Sequence, residues 1–97
     1  MLIIGAGPGG YETAVEAVKR GMEVTLITEG PLGGTCLNEG CIPTKTFCHY
    51  AELIEQNIKA GLDCKPAFGA AAQRKQAVVE QLRGGVEMLL KGVEVVH

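Results

Sequence analysis

The amino-acid sequence predicts a doubly wound α/β fold with parallel strands. A short apolar stretch at residues 1–4 leads directly into the glycine-rich turn GAGPGG at 5–10. An amphipathic stretch follows at 11–20, and a second apolar stretch at 22–28 is rich in residues that favour β-structure. Strand, tight turn, helix and strand within about 28 residues form a βαβ unit, in which the strands are parallel and the crossover is right-handed.

The hydrophobic pattern sets the elements of this first unit. We expect Met1–Ile4 to be a short buried strand. The stretch Tyr11–Arg20 carries apolar residues at helical spacing and polar residues largely on another face, which predicts a helix. Gly21 then fits the C-cap position. Met22–Thr28 predicts a second strand, buried on both faces.

The rest of the chain predicts two further helices and one strand. The expected elements are a loop at 30–40, a helix from Pro43 to near Gly61, a helix from about Ala70 to Lys91, and a strand in the final GVEVVH. Gly84–Gly85 is a candidate site for an interruption or a kink in the third helix. One βαβ unit with two more helices leaves the edges of the sheet without partners. We therefore expect residues 1–97 to be the N-terminal part of a larger domain.

The composition narrows the class of protein. The chain has 97 residues, 46% of them hydrophobic and 21% charged, with a mean hydropathy of +0.17, as in an ordinary globular core. Its apolar runs are too short to cross a bilayer, and no signal peptide is evident. A net charge of −2 without a basic patch argues against nucleic acid as a partner. With four cysteines, we expect a cytoplasmic protein whose disulfide is catalytic or regulatory.

The first glycine cluster has the pattern of a dinucleotide-binding turn. Gly5-Ala6-Gly7-Pro8-Gly9-Gly10 fits G-x-G-x-x-G between a predicted strand and a predicted helix. Gly5 allows the tight turn, Gly7 lets the backbone approach a pyrophosphate, and Gly10 lets helix and strand pack closely. Glu29 follows the second strand, where an acid binds the adenosine ribose. The alternatives are a glycine turn without a ligand and a solvated carboxylate.

The stretch GGTCLNEGCIPTK contains two cysteines, Cys36 and Cys41, in a C-x4-C arrangement. In a regular helix their Cα atoms would be about 7.5 Å apart along the axis, whereas a disulfide requires roughly 7 Å or less. We expect Gly40 to supply the necessary bend. Cys41 then precedes the helix that opens at Pro43, where the helix dipole favours a thiolate, and Lys45 adds positive charge one turn later. These conditions indicate a reactive dithiol.

Two other interpretations of the cysteine pair remain open at this point. A zinc site would need two more ligands from Cys48, His49 and Cys64, and no second C-x2-C spacing occurs. Two buried free thiols are the other alternative. We expect Cys48 and Cys64 to be structural core residues, and His49 and His97 to be surface histidines.

With both motifs placed, the sequence resembles the class I pyridine nucleotide–disulfide oxidoreductases. IIGAGPGGYETA followed by LGGTCLNEGCIPTK is most similar to the dihydrolipoamide dehydrogenases, and RGGVEMLLKGVEVVH resembles a later region of the same family. The resemblance implies a Rossmann-like FAD-binding domain and a Cys36–Cys41 redox disulfide. Cys36 would be the interchange thiol, Cys41 the thiol nearest the flavin, and Lys45 a neighbour of its ring. The implied cofactor-binding residues are Gly5, Gly7, Pro8, Gly9, Gly10, Thr28, Glu29, Gly34, Thr35, Cys36 and Lys45.

For the full-length enzyme, the resemblance implies oxidation of dihydrolipoamide by NAD+. It also implies a homodimer that acts on the lipoyl groups of 2-oxoacid dehydrogenase or glycine cleavage complexes. The family's NAD and interface domains are absent from these 97 residues, so we expect the isolated chain to have little activity. Many relatives have the acid where Thr28 stands, and Thr44 replaces a serine. The alternatives are a sister disulfide reductase and a stand-alone nucleotide-binding thiol switch.

Overall fold

The computed structural model describes all 97 residues as three parallel strands and four helices. The elements are β1 (Leu2–Ile4), α1 (Pro8–Lys19), β2 (Thr25–Ile27), α2 (Gly34–Asn38), α3 (Cys41–Lys59), α4 (Phe68–Leu89) and β3 (Glu94–Val96). Strand β2 lies between β1 and β3 and is parallel to both. The predicted α/β class with parallel strands is therefore confirmed.

The core lies where the central strand meets α1 and the second half of α4. Leu26 of β2 is fully buried and is in register with Ile3 of β1 and Val95 of β3. Helix α1 contributes two small residues, Ala14 and Ala17, which let the helix lie close to the sheet. Helix α4 adds Val79 and Val86 to the same cluster, and its C-cap residue Leu90 joins them. Helices α3 and α4 also pack against each other, in a molecule of 57 × 23 × 16 Å.

The strands are shorter and less buried than the sequence predicts. Leu2 and Ile4 of β1 are 62% and 81% exposed, and Met22, at the start of the predicted second strand, is 45% exposed. Along 24–28, buried residues alternate with half-buried ones. Successive side chains of a strand point to opposite faces of the sheet. The core cluster takes up one of these faces, so burial on both faces was a wrong prediction for this chain.

The ends of α1 and α3 show which local sequence features set where a helix begins and ends. Helix α1 begins at Pro8, inside the glycine cluster. It ends at Lys19 with Arg20 as its C-cap, and Gly21, the predicted cap, follows with a φ of 80°. The Met22 N–H donates to the carbonyl of Ala17 in a Schellman-type bond. Helix α3 begins at Cys41 rather than Pro43, because a proline is tolerated anywhere in the first turn, where its missing N–H has no intrahelical partner.

Two further predictions were wrong. Helix α4 runs without interruption through Gly84–Gly85, because the packing of α4 offsets the low helix propensity of glycine. The stretch 30–40, predicted to be a loop, contains the short helix α2. None of the four helices has the length and apolar composition needed to cross a membrane.

Candidate functional site

The two cysteines of the C-x4-C motif form a disulfide at the junction of two helices. Cys36 lies in α2, Cys41 is the first residue of α3, and their Cα atoms are 4.7 Å apart. The chain bends between them at Gly40, as predicted, with φ −120° and ψ −103°. A Cβ atom on this glycine would lie 3.1 Å from the carbonyl oxygen of Thr35 and 3.3 Å from the Cα of Cys36. The small residue therefore allows the close approach that the disulfide requires.

Helix α2 is held by Asn38, a side chain that no sequence motif identifies. The amide nitrogen of Asn38 donates to the carbonyl oxygens of Leu32 and Gly34, at 3.0 and 2.9 Å. Its oxygen accepts two hydrogen bonds from Arg83 of α4, at 3.0 Å from Nε and 2.6 Å from Nη2. No local pattern predicts this contact, because its partners are 45 residues apart.

The glycine turn leaves backbone donors free at the start of α1. Gly7 caps the helix without a side-chain hydrogen bond, and the first turn contains no acidic residue. The N–H groups of Gly9 and Gly10 have no hydrogen-bond acceptor. At Gly10 a Cβ atom would overlap the carbonyl oxygen of Gly5, which is the close packing of helix and strand that the motif predicts.

The disulfide-bearing segment lies directly on this turn. The Gly33 N–H donates to the carbonyl of Ala6 at 2.9 Å. Gly34 has a φ of 65°, and a Cβ there would be 2.6 Å from the Cα of Gly7. Only glycine combines this backbone conformation with such close contact. The two glycine clusters, distant in sequence, thus form one continuous surface.

A cleft of about 490 Å³ lies along this surface. Its lining residues are Gly5, Ala6, Gly7, Thr28, Glu29, Gly30, Pro31, Gly34, Thr35, Asn38 and Glu39. The cleft brings together six residues that were predicted to bind a cofactor, from the turn after β1, the end of β2 and the start of α2. Its other five residues were not predicted, since they have neither a motif role nor a distinctive spacing.

The two candidate ribose ligands differ in how their side chains are used. Thr28 is only 8% exposed, and its hydroxyl donates to the carbonyl of Gly30 at 3.1 Å. Glu29 is exposed, lines the cleft and makes no side-chain hydrogen bond or ion pair. The free acceptor at the end of β2 is therefore the glutamate.

The remaining predicted site residues lie outside this cleft. Pro8, Gly9 and Gly10 are in the first turn of α1, next to Gly7. Lys45 is exposed on α3, makes no ion pair, and lines a separate cleft of about 400 Å³ between α3 and α4. A more apolar groove of about 550 Å³ is lined by Phe47, Phe68 and neighbouring residues, and includes neither disulfide cysteine.

The other cysteines and the histidines take no part in this site. Cys48 and Cys64 are free thiols. Cys48 is exposed, so its assignment to the core was wrong; it lies on the solvent side of α3, and Cys64 is half-buried. His49 and His97 are exposed, as predicted. No group of three or more His, Cys, Asp or Glu side chains is placed to hold a metal ion, and the disulfide excludes a pair of free thiols.

Comparison with known proteins places this chain in a family. The sequence model described as pyridine nucleotide-disulphide oxidoreductase matches residues 1–97. A dihydrolipoyl dehydrogenase of Geobacillus stearothermophilus is 43% identical over 97% of this chain and 21% of its own length. One of Haloferax volcanii is 44% identical over 100% of this chain and 22% of its own length. The chain thus spans about a fifth of the length of these relatives.

Solved structures show the same fold. The Cu(II) complex of the HOCl-induced flavoprotein disulfide reductase RclA from Escherichia coli matches with a TM-score of 0.81 and 37% identity, over 98% of this chain and 21% of that one. LpdA from Mycobacterium tuberculosis matches with a TM-score of 0.78 and 28% identity, over 98% of this chain and 22% of that one.

Proposed function

The chain belongs to the pyridine nucleotide-disulphide oxidoreductase family, and on that premise we propose that it supplies the FAD-binding turn and the redox disulfide of a dihydrolipoamide dehydrogenase. The reaction is dihydrolipoamide + NAD+ → lipoamide + NADH + H+. One observation carries the proposal: the Cys36–Cys41 disulfide directly follows Thr35, which lines the same cleft as the glycine turn.

The residues of the cleft and of the adjoining start of α1 fit FAD. A pyrophosphate suits the uncapped start of α1, because the free N–H groups of Gly9 and Gly10 can donate to it and no acidic residue in that turn repels it. The free carboxylate of Glu29 can accept hydrogen bonds from ribose hydroxyls. When bound, FAD supplies the two-electron acceptor through which NAD+ is reduced.

The disulfide accepts two electrons from the substrate in two exchange steps. One substrate thiolate attacks Sγ of Cys36, the Cys36–Cys41 bond breaks, and Cys41 leaves as a thiolate. The second substrate thiolate then attacks the substrate sulfur bonded to Cys36. The ring disulfide of lipoamide forms, Cys36 leaves as a thiolate, and the two protons of the substrate thiols go to solvent or to the new dithiol. Cys41 is suited to be the first leaving group, because it is the first residue of α3, where the helix dipole favours a thiolate.

We propose that residues 1–97 act as the N-terminal part of a longer FAD-binding domain. The large exposure of Leu2 and Ile4 supports this, since such side chains are normally covered in a doubly wound sheet. The NAD site, the homodimer contacts and the surface that meets lipoyl groups of 2-oxoacid dehydrogenase or glycine cleavage complexes then lie in other domains.

The test is a spectrum followed by an assay of the full-length protein that contains this chain. We expect a flavin absorption band, and NADH oxidation that depends on lipoamide. A second candidate, a sister disulfide reductase, has support from the 37% identity to RclA. It predicts faster turnover with another oxidant, such as glutathione disulfide, than with lipoamide. A flavin band without turnover of any disulfide would indicate a nucleotide-binding thiol switch, and no flavin band would refute both reductase assignments.

A further inference from the structure

Arg83 makes an unusual contact for a half-buried cation. It lies in α4, takes part in no ion pair, and directs two N–H groups to the side-chain oxygen of Asn38. The two residues are 45 positions apart, so the contact joins α4 to the short helix that carries Cys36. Holding the guanidinium in one conformation costs side-chain entropy, and no carboxylate is present to offset that cost. A structural role of the contact would account for this cost.

The hydrogen-bonding groups allow only one orientation of the Asn38 amide. Arg83 can only donate, and the carbonyl oxygens of Leu32 and Gly34 can only accept. The amide oxygen must therefore face the guanidinium while the amide nitrogen faces both carbonyls, as observed. Cys36 lies between Gly34 and Asn38, so this set of bonds fixes the backbone on both sides of the cysteine.

Helix α2 needs such external support. It has five residues, is preceded by Gly33 at a φ of 97° and is followed within two residues by Gly40. An isolated helix of this length is not stable in water. The conformational entropy lost in nucleating the helix exceeds the free energy gained from one turn of hydrogen bonds. Its glycine flanks add conformational freedom when the fold does not restrain them.

We propose that Arg83 is a positioning residue for the redox disulfide, acting through Asn38. The proposal rests on the redox function proposed above. By holding α2 in place, Arg83 keeps Cys36 within bonding reach of Cys41 and so favours the disulfide over the open dithiol.

The test measures the equilibrium between the protein dithiol and glutathione disulfide in the full-length protein. Samples equilibrated in glutathione redox buffers are alkylated, and the oxidised fraction is read by mass spectrometry. For Arg83→Met we expect the equilibrium constant for disulfide formation to fall roughly tenfold, because the variant loses a hydrogen bond from a charged group. Asn38→Ala also removes the bonds to Leu32 and Gly34, so its fall should be at least as large. The double variant should show no further fall beyond that of Asn38→Ala, because the Arg83 contact is already lost there. Arg74→Met, an exposed arginine of α4 without a hydrogen bond, is the matched control.

This readout separates positioning from general stabilisation. A residue that stabilises the oxidised and reduced folds equally leaves the equilibrium constant unchanged. A value for Arg83→Met within twofold of the Arg74→Met control, or additive falls for Arg83→Met and Asn38→Ala, would overturn the proposal. If Arg83→Met does not fold, Arg83→Lys, which keeps the charge but loses the fork, is judged by the same criterion. The measurement requires no turnover, so a failure to reduce lipoamide would leave its result interpretable.

Discussion

Replacing Gly10 by alanine tests the close packing between α1 and β1. The new Cβ would overlap the carbonyl oxygen of Gly5, and it would lie 3.6 Å from Cγ2 of Ile3. The obstructing atom belongs to the backbone, so it cannot rotate away as a flexible side chain could. Either α1 or the end of β1 must move, and both contribute to the core cluster.

Gly9 provides a matched control in the same turn of the same helix. A Cβ on Gly9 meets no atom within 4 Å. Both substitutions gain the same helix propensity, at most about 1 kcal/mol relative to glycine. The difference between the two variants therefore isolates the overlap at Gly10, which we put at about 2 kcal/mol by analogy with other overpacked sites.

The assay is urea unfolding followed by circular dichroism, with thermal unfolding alongside. Gly10→Ala should be about 2 kcal/mol less stable than Gly9→Ala, which corresponds to a melting temperature roughly 8–16 °C lower when residues 1–97 unfold as one unit. Equal stability of the two variants would refute the packing argument, and would mean that the glycine at position 10 is needed only for a ligand.

Three further predictions concern the disulfide, the ribose site and α4. Cys41→Ser should abolish NADH-dependent lipoamide reduction and leave one fewer oxidisable cysteine pair in a thiol titration. The control Cys48→Ser, at an exposed free thiol, should keep wild-type activity. Lipoamide reduction by the Cys41→Ser variant would rule out the dithiol mechanism. Glu29→Gln should weaken FAD binding roughly tenfold in a fluorescence titration, because a charged acceptor is lost. Thr28→Val should leave that affinity unchanged and cost about 1 kcal/mol of stability, since its hydroxyl bonds Gly30; the reverse pattern would move the ribose site to Thr28. Gly84→Ala should raise stability to urea by about 1 kcal/mol, because α4 is helical there and a Cβ meets no atom within 4 Å; a loss of stability would contradict the continuous helix.

The sequence by itself determined the features that depend on short stretches of chain. The order strand, glycine turn, helix and strand follows from the change of hydrophobic period around GAGPGG, and Gly21 ends α1 because only glycine readily takes its positive φ. The bend at Gly40 could be predicted because a C-x4-C disulfide cannot form within a regular helix.

Only the tertiary structure decided the features that depend on distant partners. Helix α2 has too few residues and too many glycine neighbours to be predicted locally, and it exists through its contacts with α3 and α4. The hydrogen bonds from Arg83 to Asn38 also depend on the tertiary structure, since no spacing rule relates residues 45 positions apart.

Which of Thr28 and Glu29 keeps a free side chain was also beyond the sequence. Both are polar residues at the end of a predicted strand, and their order along the chain does not show which side chain is free. The fold shows that the Thr28 hydroxyl is bonded to the backbone at Gly30, whereas the Glu29 carboxylate is exposed in the cleft. Local sequence sets the shape of each turn and helix, but which polar groups remain free for a ligand depends on the backbone atoms that the fold brings next to them.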